Sequence, residues 1–279
     1  MLPTRSGFAL LTVLWAIVAL GTVAAISATI ARRGFHLTRN RIVLARAGWA
    51  REACVSILHA RYAADQRTRS VDSVGLGRDT WCSATLLDPS AQLNVNLAPP
   101  AVLRVALGDS LADALLDWRD ADNDPQANGA ETEWYREHRR ALPRNGPLAS
   151  AAELRLVRGF EVIALDLFTT RGDGRINPAI APASLVRALP GVDETVLGAI
   201  EARGRAITSL DALLSSVPPA ARSGLLAHYS ELQSLTVFAP AVLIAHVQGA
   251  VGSSLPRSSA WLTVVPVGDR LAVVSREAE

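Results

Sequence analysis

Residues 8–30, FALLTVLWAIVALGTVAAISATI, carry no charged side chain, and Arg5 stands just ahead of them. No other feature constrains the fold so strongly. At ~1.5 Å per residue, a helix of this run is about 35 Å long, enough to cross the ~30 Å hydrocarbon core of a bilayer. A secretory signal peptide has a shorter apolar region, usually about 7–15 residues, closed by an A-x-A-like site. Ser27-Ala28-Thr29 is a poor version of such a site. Length therefore favours a retained anchor over a cleaved signal. Arginine counting is divided on orientation. Arg5 and the amino terminus argue for a cytoplasmic start, whereas Arg32, Arg33, Arg39 and Arg41 on the far side argue for the reverse.

The rest of the chain is long enough and apolar enough to bury a core: 279 residues, 49% hydrophobic and 19% charged. Aromatics are only 5%, so that core rests on Ala, Leu, Val and Ile. All 28 basic residues are arginine, yet the net charge is +2, so no whole-protein field draws in nucleic acid. Cys54 and Cys82 are too few for a disulfide framework and lack the spacing of a zinc site. A single bridge between them requires an oxidising compartment; otherwise they are small buried apolar residues.

The helix continues beyond the apolar run. Leu37, Val43, Leu44, Ala47, Ala50, Cys54, Ile57, Leu58 and Tyr62 approximate an i, i+3, i+4, i+7 stripe, with arginines between them. RTRSVDSVGLGRD then reads as loop. TWCSATLLD and AQLNVN read as short strands around an Asp88-Pro89-Ser90 turn. YSELQSLTVFAP, AVLIAHVQGAV, SAWLTVVPVG and RLAVVSRE also read as strands, and Val267-Gly268-Asp269-Arg270 suits a hairpin. Residues 97–216 read as helical. The expected fold class is α+β: a long N-terminal helix and an antiparallel sheet, with a large α-helical domain inserted into it.

The helical block contains a repeat. LNVNLAPPAVLRVALG (93–108) aligns with INPAIAPASLVRALPG (176–191) at an offset of 83, matching Asn94 with Asn177, Pro99 with Pro182, and Gly108 with Gly191. Each copy has Pro early and Gly late, the asymmetry of a helix start and stop, and each precedes a second helix. LVRALPGVDETVLGAIEARG resembles a helix-hairpin-helix, which in nucleic-acid binders offers backbone N–H groups to a phosphate. A membrane-anchored DNA-uptake protein is therefore the alternative function. Asp109, Asp193 and Glu194 would repel a phosphate there, so nucleic acid is not the expected partner.

The densest chemistry is DWRDADNDPQANGAETEWY (117–135). Asp120, Asp122, Asp124 and Glu131 stand at positions 1, 3, 5 and 12 of an EF-like loop, with Asn128 at position 9. Alternate oxygens at this spacing converge on a hard cation, and the last Glu can bind through both oxygens. Pro125 replaces the usual Gly at position 6. Calcium is the expected cofactor, in a structural role. Nothing points to an enzyme. The five histidines are scattered, no G-x-S-x-G elbow occurs, and the carboxylates lack the basic surroundings of a phosphoryl-transfer site.

Gly7 followed by Phe8 at the head of a long apolar helix resembles a type IV prepilin leader. That resemblance implies cleavage after Gly7 by a prepilin peptidase, methylation of Phe8, and retention of the helix as anchor and filament core. It also implies an N-terminus held at the cytoplasmic face. Prepilins normally carry Glu at the fifth mature position; here it is Thr12, a departure resembling the type II secretion minor pseudopilin of the general secretion pathway protein K family. The W-x-D-x-D string, N-G-A-E, NGPLASAAELRLVRG (145–159) and the repeated N-x-A-P element are similar to that family's inserted domain. The resemblance implies a single-pass bacterial inner-membrane protein with a periplasmic soluble part, partnered by minor pseudopilins I and J and other pseudopilus subunits. It would cap or initiate the pseudopilus tip for export of folded proteins. The implied division is a leader (1–7), membrane helix (8–31), first pseudopilin part (32–96), inserted domain (97–216) and second pseudopilin part (217–279).

Overall fold

A computed structural model describes residues 5–66, 68–239, 241–252 and 257–278; the side chains of residues 5–9 and 278 lie outside that description. Helix α1 (Arg5–Ala64) runs unbroken for 60 residues, about 90 Å at 1.5 Å per residue. Its first part is exposed and is, among the described residues, the one helix long and apolar enough to cross a membrane. From Ala47 onward one face is buried: Ala47, Ala50, Cys54, Val55, Leu58 and Tyr62. That is the stripe read from sequence, beginning ten residues later, because Leu37 and Leu44 project where no other element reaches.

β1 (Ser70–Gly77) and β2 (Thr80–Leu87) form a hairpin. Arg78 and Asp79 both adopt positive φ (47° and 57°), as a two-residue turn matched to strand twist requires. The loop expected over RTRSVDSVGLGRD is therefore mostly strand. It is an edge strand whose polar side chains face solvent; Val71 is buried and Val74 half-buried, too few apolar residues to show an alternation.

Between β2 and the next strand of the main sheet lies the helical block. It contains β3 (Leu93–Asn94), α2 (Pro100–Leu107), α3 (Asp109–Arg119), α4 (Thr132–Glu137), β4 (Phe168–Thr169), α5 (Ala183–Val186), α6 (Glu194–Arg203), α7 (Leu210–Ser216), α8 (Pro219–Ala227) and α9 (Tyr229–Leu235). β3 and β4 make a two-residue parallel ladder inside this block, apart from the main sheet. Residues 229–235 are helix, where sequence pattern reads strand: Leu232 is buried in the helical core, with Tyr229, Leu235 and Phe238 packed against it. That helical spacing wins over β-rich composition. The repeat is real in three dimensions. Asn94 Oδ1 accepts from the backbone N–H groups of Asn96 and Leu97, and Asn177 Oδ1 from that of Ala179. Gly108 and Gly191, at φ 82° and 73°, make the two turns.

The chain returns to the main sheet with β5 (Leu243–Val251), β6 (Arg257–Val267) and β7 (Arg270–Ala278), giving an antiparallel order β1-β2-β5-β6-β7. Leu87 pairs with Ile244, so both ends of the helical block leave the sheet side by side. Among the described residues there are two apolar cores. One is internal to the helices; the other lies between α1 and the sheet, from Cys54, Leu58, Cys82, Val247, Leu262 and their neighbours.

In the second core, Cys54 on α1 and Cys82 on β2 are joined by a disulfide, Cα atoms 5.7 Å apart. Beside it α1 lies directly against β5 at Gly249, where a Cβ would overlap the backbone of Ala47 and Arg51. Gly249→Ala should therefore destabilise the sheet–helix unit by about 2 kcal/mol or more, since backbone rather than a side chain must move. Equilibrium denaturation of the full chain in detergent, with Gly75→Ala as the control in open space, measures this.

Candidate metal centre

Helix α3 ends at the site. Asp113 and Asp117 lie one turn apart on its buried face, and Asp120 is its C-terminal cap. The chain loops out through residues 121–130 and returns as Glu131, the cap residue before α4. This path brings Asp117, Asp120 and Glu131 together, each offering a carboxylate oxygen within 4.8 Å of the others. Asp117 accepts the backbone N–H of Gln126 at 3.1 and 3.2 Å. Gly129 is required by the same contact: a Cβ there would overlap the Asp117 carboxylate.

Of the five ligands expected from spacing, the structure gathers Asp120 and Glu131. Asp122 stays close enough for its charge to act on both, but its Oδ1 accepts from the Asp124 N–H at 2.9 Å. Asp124 is exposed and outside the cluster. Asn128 is engaged elsewhere: its backbone N–H and Nδ2 both donate to Asp113 Oδ2, at 3.2 and 3.1 Å. Asp117 is the residue that loop spacing misses. It sits three before Asp120, so i,i+3 proximity on a helix was the available signal. Gly7, Phe8 and their side chains fall outside the described side chains, and Thr12 lies in the exposed apolar part of α1.

Asp120 Oδ1 and both oxygens of Glu131 are buried with no hydrogen-bond partner. At the edge, Asn145 donates from Nδ2 to the Asp122 carbonyl at 2.9 Å, while its own Oδ1 is also buried and unpartnered. Burial and mutual repulsion push the carboxyls up. Glu131 is raised from the usual 4.5 to about 7, by burial first and then by the charges of Asp117 and Asp120. Asp117 and Asp120 are raised by the same two effects. Asp113 shows the contrast. Burial pushes it up, but hydrogen bonds from Asn128 and from Arg104 at 3.1 Å outweigh that and lower it. Buried carboxylate oxygens without donors are costly. Oxygen ligands converging with net negative charge suit a hard divalent cation of the calcium type. The cluster therefore fits such an ion, with Asp117, Asp120 and Glu131 as the side chains that would hold it.

The helix-hairpin-helix segment offers no comparable site. Asp193 Oδ1 accepts the N–H of Val196 at 2.9 Å, occupying the helix start where a phosphate would sit, and Glu194 pairs with Arg187.

Together these features define an α+β protein whose long N-terminal helix is apolar enough to cross a membrane, with an acidic helical domain inserted between two adjacent strands. Residues 93–166, which include the whole acidic cluster, match the family described as Type II secretion system (T2SS), protein K. That match spans about a quarter of the 279-residue chain, within the inserted helical block. The fold of this chain is similar to a chain in the crystal structure of the GspK-GspI-GspJ complex from the enterotoxigenic Escherichia coli Type 2 Secretion System. The TM-score is 0.62 at 16% identity, covering 88% of this chain and 99% of that one. No curated protein matches the sequence.

The raised carboxyls set a pH dependence. Between about 4.5 and 7 the folded state keeps the Glu131 proton that the unfolded state has lost, so stability falls as pH rises through that window when no cation is present. Thermal melts in EDTA should show a lower midpoint at pH 7 than at pH 5. Millimolar calcium should restore the midpoint at pH 7, and Asp117→Asn should weaken that rescue about tenfold or more, whereas Asp124→Asn should leave it nearly intact.

Proposed function

We propose that this protein is a minor pseudopilin of a type II secretion system, acting at the pseudopilus tip with minor pseudopilins I and J in the export of folded proteins. One observation carries the reading: the protein K match over residues 93–166 falls on a helical domain inserted in a sheet whose long helix continues into an apolar span. The similar solved chain comes from a complex of GspK with GspI and GspJ, which supports the same partners here. The role is assembly rather than catalysis, as for a secretion-system component of that family.

The finer parts of the proposal rest on particular residues. Cleavage after Gly7 and methylation of Phe8 would turn the leader into a mature N-terminus. Thr12, uncharged where prepilins carry Glu, suits a subunit with no neighbour ahead of it to neutralise. A periplasmic soluble part is supported by the Cys54–Cys82 disulfide, because such bridges persist in oxidising compartments. Calcium at Asp117, Asp120 and Glu131 would stiffen the inserted domain. The bulk of that domain would crowd a filament interior and suits a terminal place.

The test is the N-terminus of the protein, by mass spectrometry, after co-expression with a prepilin peptidase and beside Gly7→Ala. The expected result is a chain beginning at N-methylated Phe8, with the control uncut. Co-purification with minor pseudopilins I and J should then follow. An intact Met1 in both proteins would leave a plain anchor and refute the pseudopilin pathway.

A further inference from the structure

Beyond its apolar run, α1 repeats a seven-residue pattern on the side turned away from the sheet. Phe35, Ile42 and Trp49 stand seven apart and are 67%, 56% and 76% exposed. Thr38 and Ala45 fall three residues after the first two and are exposed as well. At ~100° per residue, Trp49 lies about 160° round the helix from Ala47, whose backbone meets β5. Large residues thus stand at the a positions of a coiled-coil seam and small ones at d. The same register runs back through Gly21, Ala24, Ala28 and Ala31, small residues that let two helices come close inside a bilayer.

The flanks of the seam carry one sign of charge. Arg39 and Arg46 occupy e positions and Arg41 a g position, and no acidic residue precedes Glu52. Arg46 is held against the β1–β2 hairpin, donating to the Arg78 carbonyl and to Thr80 Oγ1 at 2.9 Å. The Arg39 and Arg41 side chains have no hydrogen-bond or ion-pair partner among the described residues. A second copy of this chain would set arginine against arginine across the seam, so like charge disfavours self-pairing. Acidic e and g positions on a different helix remove that repulsion. From Phe35 to Trp49 the seam is two heptads, about 21 Å long, a short contact for two free helices. Two subunits anchored in one membrane meet at high effective concentration, and a short seam then suffices.

We propose that Phe35, Ile42 and Trp49 form a docking seam for one acid-flanked helix of a different subunit, running parallel to α1 from the same membrane. The three large side chains fill the a layers, and Thr38 and Ala45 leave room for larger d residues on the partner. Arg39 and Arg41 meet its acidic e and g positions and set which chain is accepted. The inference rests on the reading of this chain as a pseudopilus subunit that assembles with other single-pass subunits.

The test uses the full chain co-expressed with minor pseudopilins I and J, a photo-cross-linking amino acid replacing one residue at a time, and irradiated membranes. The cross-linker at Ile42 or Ala45 should give an adduct to one subunit, located by mass spectrometry in its membrane-proximal helix. At Asn40 or Leu44, off the seam, it should give far less. Arg39→Glu with Arg41→Glu should lower the adduct at position 42 about fivefold or more, since like charges across an interface are costly. Reversing the partner's facing acids to lysine should restore it. Arg61→Glu with Arg205→Glu makes the same charge change elsewhere and should alter it little. Equal adducts from all four positions, an adduct to a second copy of this chain, or equal loss in both charge-reversed pairs would overturn the seam. Failure of I and J to co-purify with the wild type would refute the pseudopilus reading and the seam with it. Co-purification without seam adducts would refute the seam alone.

Discussion

The architecture depends on how closely α1 approaches β5. At Gly249 the helix backbone fills the space a side chain would take, and Ala47 and Ala50 face it. Small residues on both surfaces let Cys54, Leu58 and Tyr62 reach the inner face of the sheet, where they meet Leu262, Val247 and Leu271. A sequence poor in aromatics cannot build this core from a few large anchors, so it uses close contact and many aliphatic groups. The Cys54–Cys82 bridge ties the same helix to β2. Because α1 is one continuous helix, fixing its C-terminal half against the sheet also fixes where the apolar half points.

That arrangement explains why a large insertion is tolerated. Leu87 and Ile244 are paired neighbours, so the insertion's ends are already together when β2 and β5 zip. Closing a longer loop costs little more than closing a shorter one, provided the inserted residues supply their own core. They do, from Leu93 to Leu232. The two parts meet through polar and mixed contacts: Arg171 pairs with Glu277 at 2.7 Å and lies 5.1 Å from the Trp261 ring centre.

Elements with one dominant periodicity were legible in the sequence. The long helix, β2, the Val267–Arg270 hairpin turn and the paired helix–Gly–helix units all follow local rules. β1 was not legible because an edge strand needs few apolar residues. α9 was not, because Leu232 and its neighbours answer to a core assembled from distant segments. The acidic site shows the same division. Loop spacing marked Asp120 and Glu131, which begin and end the excursion and are brought together by the fold. It also marked Asp124 and Asn128, which stand outside the cluster: Asp124 is exposed and Asn128 turns to Asp113. It missed Asp117, whose role depends on which face of α3 is buried.

Three gathered carboxylates, with buried oxygens of Asp120 and Glu131 left unpartnered, oppose folding when they stand alone, and for Glu131 burial and repulsion outweigh what the nearby backbone offers. Asp113, one turn away, shows that the fold can satisfy a buried carboxylate when it supplies an arginine and an asparagine. The difference between neighbours is therefore informative: Asp120 and Glu131 keep oxygens without donors although the same helix places donors on Asp113. A divalent cation would replace the missing donors and join the end of α3 to the start of α4. It would act within the inserted domain and leave the α1–sheet core untouched. Order at the distal domain and order at the membrane-proximal core would then have separate physical sources, one electrostatic and one apolar, within a single chain.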